Sequence, residues 1–224
     1  MAGLKRHDPG ILFSGVKVTP DEIDRYEVYS LTPANNIRFW ASAGTAGTAS
    51  TIALTVLNRL PDYPRNIEFV LAGSATGMAG TLKMNGRDQF GNSISENFGF
   101  GSADNGGTVI GTKVFAQLLN GTLYYGTAIG NGTPQIGFGT MGTTTLFGLP
   151  TKLGGTSDVV HIGMTFGTGA ITVGNGTIAA FVNVPMHAIM APATIDGTAQ
   201  INVWFRTTYD ASNDVKIAGG TQVV

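Results

Sequence analysis

The chain has 224 residues, of which 12% are charged and 42% apolar; its net charge is −1 and it contains no cysteine. An ordinary soluble chain is about a quarter charged, yet the apolar share here suffices for a core, which excludes disorder by composition. The neutral balance without a Lys/Arg cluster gives no footprint for nucleic acid or an anionic membrane, and the missing thiols exclude disulfides, thiolate metal sites and cysteine nucleophiles.

Residues 1–40 hold ten of the 27 charged groups. The opening "MAGLKRHDPGILFSGVKVTPDE" has a basic pair but no apolar run of signal-peptide length, so no signal peptide is expected. No window is long and apolar enough for a membrane-spanning helix. Low charge and alternating strands also fit an outer-membrane barrel, but short, Gly-interrupted apolar runs and the absent signal argue against one. Thr19 with Glu22 fits a capping box and Pro20 fits a first helical position, predicting one short helix over about residues 20–26. Residues 1–36 are therefore expected to form an N-terminal arm with that helix.

The rest reads as β. Segments 37–40, 51–57, 66–72, 80–85, 93–100, 107–119, 122–129, 143–149, 159–166, 178–186 and 200–209 are short and rich in Thr, Val, Ile and aromatics. Ile67, Phe69 and Leu71 alternate onto one face, as do Ile201, Val203 and Phe205. Asn85-Gly86, Asn105-Gly106, Asn120-Gly121, Asn131-Gly132, Asn175-Gly176 and Asp196-Gly197 are the dipeptides that tight hairpin turns prefer. The expected fold is all-β, a β-sandwich or β-barrel of short antiparallel strands over residues 37–209. It is either one unit or two packed subdomains with a boundary near 140–155. "ASAGTAGTAST" (41–51) reads as a small-residue loop, and 210–224 as a C-terminal arm or edge strand.

No motif for catalysis stands out. "GFGTMG" (137–142) matches a dinucleotide-loop pattern, but a strand pattern follows it where a helix N-terminus is required. Three "NGT" triplets, at 120–122, 131–133 and 175–177, match the glycosylation acceptor and read better as turns. His7 lies in the arm; His161 and His187 lie in apolar strand-like contexts, where a structural role outweighs a metal pair. Asp88, Glu96 and Asp104 could offer oxygens to Ca²⁺, but without regular spacing; the plainer expectation is that Asp88 holds a turn and Glu96 faces water. Trp40, Trp204, Tyr124 and Tyr125 could form a platform for sugars, and a pocket joining Asp158 to His161 would suggest an enzyme. No catalytic residue, cofactor-binding residue or metal ligand is assigned, and no enzyme activity is expected.

Two runs contain no Asp, Glu, Lys or Arg: 38 residues from 114 to 151 and 37 from 159 to 195. Interface cores are depleted in charge, so these runs are expected to lie largely against neighbouring subunits.

Over residues 61–205 the chain resembles structural proteins of tailed-bacteriophage virions. The matching residues are Pro64-Arg65-Asn66, Ala79-Gly80-Thr81, Asp88, Gly91-Asn92, Glu96 and Gly111-Thr112-Lys113 with Phe115, followed by "FGLPTKL" (147–153) and "DGTAQINVWF" (196–205). The resemblance implies a homo-oligomeric head-decoration or capsid-stabilising protein, or a tail-tube protein. Its partners would be copies of itself and other virion proteins such as a major capsid protein. Its location would be the virion, after synthesis in the host cytoplasm, and the resemblance carries over no catalytic residue. A carbohydrate- or surface-binding β module is the alternative of a different class.

Overall fold

The computed structural model describes residues 22–28, 35–41, 45–47, 50–54, 61–73, 79–101, 107–125, 129–138, 145–166, 169–173, 177–193, 195, 198–210 and 215–217. The strands are β1 (Glu22–Val28), β2 (Asn35–Ala41), β3 (Thr45–Gly47), β4 (Ser50–Leu54), β5 (Ile67–Gly73), β6 (Gly80–Arg87), β7 (Ser93–Phe100), β8 (Thr108–Ile110) and β9 (Gln117–Tyr125). They continue as β10 (Ile129–Phe138), β11 (Leu146–Gly148), β12 (Val159–Phe166), β13 (Gly169–Val173), β14 (Val182–Asn183), β15 (Ala188–Met190), β16 (Gln200–Asp210) and β17 (Val215–Ile217). The described helical residues are two 3-10 turns, Thr156–Asp158 and Ile178–Phe181. The fold is all-β and its strand pairs are antiparallel.

Among the described residues four sheets enclose two main cores. One sheet runs β2-β10-β5-β8, with β3 also on β10, and a second runs β4-β9-β6-β7. Their facing sides share one core in the manner of a sandwich: Ile67, Phe69 and Leu71 from β5, Leu82 and Met84 from β6, Leu123 from β9 and Ile136 from β10 are buried together. A third sheet runs β1-β16-β12-β13, with β17 on β16, and a fourth runs β11-β15-β14. These enclose the second core, with Ile162 and Met164 of β12, Ile201, Val203 and Phe205 of β16, and Phe147 and Ile189 of β11 and β15. A small cluster of Val114, Leu146 and Ala188 joins residues of both halves.

The helix expected at 20–26 is not there: from residue 22 the chain is β1, paired with β16 from Glu22↔Thr207 to Val28↔Ile201. A capping box offers a helix only local hydrogen bonds, whereas this register supplies a full ladder. It also sets Tyr26 opposite Val203 at the second core, where burial first and then Tyr63 push the Tyr26 hydroxyl above its usual pKa. The expected arm thus contributes a strand to the sheet formed by the end of the chain.

Most Asn-Gly pairs do not turn the chain. Asn85-Gly86, Asn120-Gly121 and Asn131-Gly132 lie inside β6, β9 and β10. Asn85 pairs with Asn120 across the sheet and donates through Nδ2 to its Oδ1 at 2.7 Å, beside a register shift at Gly86. A Cβ on Gly86 would overlap the Gln117 carbonyl, and one on Gly121 the Met84 sulphur, so these glycines allow close approach. Asn105, Asn175 and Asp196-Gly197 lie outside the described residues.

Candidate functional site

Part of the set that carries the resemblance, Pro64, Arg65, Asn66, Gly111, Phe115 and Gly148, meets at one interlock between the two cores, whereas Gly80 and Thr81 lie beside Tyr125 and Tyr124 and 200–205 lies in β16. Pro64–Asn66 runs between the 111–115 loop and β11. Arg65 exchanges backbone hydrogen bonds with Phe115, its N–H donating at 3.1 Å and its carbonyl accepting at 2.9 Å. The Gly148 N–H donates to the Pro64 carbonyl at 2.9 Å. Asn66 spans the gap with its side chain: Nδ2 donates to the Gly111 carbonyl at 2.8 Å, and Oδ1 accepts from the Leu146 N–H at 2.9 Å. Both ends of a buried amide are thereby satisfied by two different segments.

Arg65 is fully buried beneath this interlock. Its Nη1 donates to Asp62 Oδ1 and Oδ2 at 3.1 and 3.2 Å, and its guanidinium lies 5.3 Å from the Phe147 ring centre. Burial lowers its pKa from the ordinary value, while Asp62 and the buried Glu68 oppose that shift, and guanidinium remains charged in proteins. Glu96 completes the joint. It does not face water: it is buried, and its Oε1 accepts from the Thr112 N–H at 2.6 Å, the Thr112 hydroxyl at 3.0 Å and the Lys113 N–H at 3.3 Å. Its place on the inward side of β7 follows from strand alternation, since Phe98 and Phe100 are buried on the same side.

Asp88 holds the β6–β7 turn as expected. Its Oδ1 accepts from the Phe90 and Asn92 N–H groups at 2.9 and 2.8 Å, its Oδ2 accepts from Asn92 Nδ2 at 2.9 Å, and Gly91 supplies the positive φ of 84°. The turn overhangs a cleft of about 260 Å³ that reaches Lys113, Lys152 and the 185–187 segment. His187 sits there at φ 48°, a conformation uncommon for a non-glycine residue. Several bonds fix it: its N–H donates to the Val184 carbonyl at 3.0 Å, its carbonyl accepts from the Leu149 N–H at 2.8 Å, and its Nδ1 accepts from the Leu153 N–H at 3.0 Å. Burial and then Lys152 push the His187 pKa below its ordinary value, against the pull of Asp88. Nothing in an isolated sequence marks Lys113, Lys152 and His187 as neighbours, because they lie on three separate loops.

The other candidates are dispersed. His161 packs edge-on against Trp204 at 4.6 Å, whereas His187 packs against Phe90 at 5.5 Å, so the two imidazoles belong to different surroundings. Asp158 is buried, and its Oδ2 accepts from the Gly154 and Gly155 N–H groups at 2.6 and 2.9 Å; it braces a turn, and neither it nor His161 lines the cleft beside His187. Tyr124 is 47% exposed while Tyr125 is buried on the opposite face, so they do not form one platform. Trp40 lies in β2, paired with Ile136, and its side chain is outside the described residues. "GFGTMG" begins at the end of β10, and the next described element is β11. The triplets at 120–122 and 131–133 are mid-strand. His7, Asp104 and the start of the triplet at 175–177 fall outside the described residues. Among the described residues no group of three or more His, Cys, Asp or Glu side chains is placed to hold a metal.

Comparison with family models, curated proteins and solved structures gives no match.

Proposed function

We propose that the chain is a repeated structural subunit of a phage-like virion, a head-decoration or capsid-stabilising protein acting through contacts between copies and with other virion proteins. The observation that carries this proposal is the contrast between the two edges of the β1-β16-β12-β13 sheet. β1, which among the described residues pairs only with β16, has charged residues in its sequence at 22, 24, 25 and 27, and charge is a common feature of edge strands. β13, Gly169–Val173, has none, and among the described residues it pairs only with β12.

The second core is also unfinished at that edge. Met164 is 1% exposed, but Ile171, its cross-strand partner on the same face, is 41% exposed. A second copy pairing antiparallel along β13 would complete both the ladder and the apolar row, with no charge to oppose it. The virion resemblance adds to this proposal, and three of its residues, Arg65, Asn66 and Phe115, tie the two cores together.

Negative-stain electron microscopy of the purified chain at two concentrations tests the proposal. Small uniform oligomers that bind a capsid lattice support decoration. Tubes or stacked rings move the protein to the tail tube. Monomers that never associate, with capsids added, overturn both.

A further inference from the structure

The cleft under the β6–β7 turn has a chemistry of its own. Ile94, Val114, Met186 and Phe90 supply apolar surface, and Lys113 and Lys152 supply two ammonium groups. Lys113 Nζ donates to the Ser95 carbonyl at 2.6 Å, and an ammonium has three donors, so one bond leaves it able to donate again. Lys152 Nζ stands 5.8 Å from the Phe90 ring centre and Lys152 is exposed.

The one carboxylate in the lining, Asp88, is committed to the turn through both oxygens. His187 accepts at Nδ1 from Leu153, so in its neutral form the proton sits on Nε2, which is then a donor. With two lysines against one aspartate, the lining keeps a net positive charge. The complementary ligand is an anion with acceptor oxygens and an apolar body. At about 260 Å³ the cleft is below the roughly 300–1,000 Å³ of pockets for drug-sized ligands, which limits that body to about one amino-acid residue.

We propose that this cleft binds a carboxylate attached to an apolar group of amino-acid size, as a peptide with adjacent acidic and apolar residues presents. Rigidity suits the role. His187 is held at its positive φ by bonds to Val184, Leu149 and Leu153, and Gln89 Nε2 donates to the Met186 carbonyl at 2.8 Å. A site whose walls are already ordered loses little entropy on binding. None of the lining residues belongs to β13, so the fate of this proposal is separate from that of the assembly edge.

The test is two-dimensional NMR of the isotope-labelled full chain, titrated with acetyl-Phe-Glu-amide, with N-acetylphenylalanine, and with acetyl-Phe-Gln-amide as the uncharged control. The expected result is saturable shifts at the Lys113, Met186 and His187 amides with at least one of the acids and none with the control. The tighter acid shows whether a peptide side chain or a free carboxylate is the better ligand. Lys152→Gln alters an exposed residue, and it should weaken binding by roughly threefold or more while leaving the rest of the spectrum unchanged. Absence of shifts with both acids, equal binding of the control, or unchanged affinity in Lys152→Gln would overturn the proposal.

Discussion

At the residue scale, the molecule places its polar side chains as fasteners. Arg65 is the extreme case: a fully buried cation held by Asp62, flanked by Glu68 and packed on Phe147. Asp62 is exposed, but Glu68 is buried beside Arg65, and removing a buried charge from beside another costs about 3–5 kcal/mol. Arg65→Ala is expected to lose stability of that order in urea denaturation, and a loss near that of a surface substitution would show the interlock to be dispensable. His187 gives a pH prediction. Its folded pKa lies below the ordinary 6.5, through burial and then Lys152, so the unfolded chain takes up the proton first as pH falls. Stability from this residue is complete above that ordinary value and is lost as pH drops through the folded one. Thermal melting between neutral and mildly acidic pH should show this decline. His187→Asn should flatten it, because Asn tolerates positive φ and does not titrate there.

At the element scale, strands with strong alternation were legible in the sequence, and those defined by their partners were not. The segments 93–100 and 159–166 coincide with β7 and β12, since apolar residues two apart face inward in each: Phe98 and Phe100, beside the buried Glu96, and Ile162 and Met164. β10 was missed because Gly, Asn and Pro fill it. Pro134 is tolerated where β3 gives way to β2, between the register pairs Gly132↔Thr45 and Gln135↔Ala41. β1 was misread because a local capping signal says nothing of a partner strand at the far end of the chain, with Glu22 opposite Thr207 and Val28 opposite Ile201. The interlock was legible only as a motif; that Asn66 bridges Gly111 to Leu146 depends on tertiary contacts. Close strand packing gives a prediction here. A Cβ on Gly80 would overlap the Tyr124 carbonyl and lie 2.8 Å from Tyr125 Cα, whereas one on Gly99 meets nothing within 4 Å. Gly80→Ala should cost about 1–3 kcal/mol by overpacking. Gly99→Ala should be neutral or stabilise by up to about 1 kcal/mol. Equal urea midpoints for the two variants would contradict this account of β6–β9 packing.

At the scale of the whole molecule, the missing charge has an internal explanation first. The run 114–151 supplies β9 and β10, each paired on both sides, and the run 159–195 supplies β12, likewise central. Much of both runs lies within the chain's own sheets and cores. Central strands covered on one face by a core and bordered by two neighbours need little charge. β13 is an exposed strand of the second run that this does not explain, and the proposed contact between copies rests on it. Sedimentation velocity of the wild-type chain and Ile171→Lys, each over a range of concentrations, tests that claim most directly. The expected result is association of the wild type with rising concentration and a monomer for Ile171→Lys at every concentration, with unchanged melting. Identical sedimentation of the two proteins would contradict it.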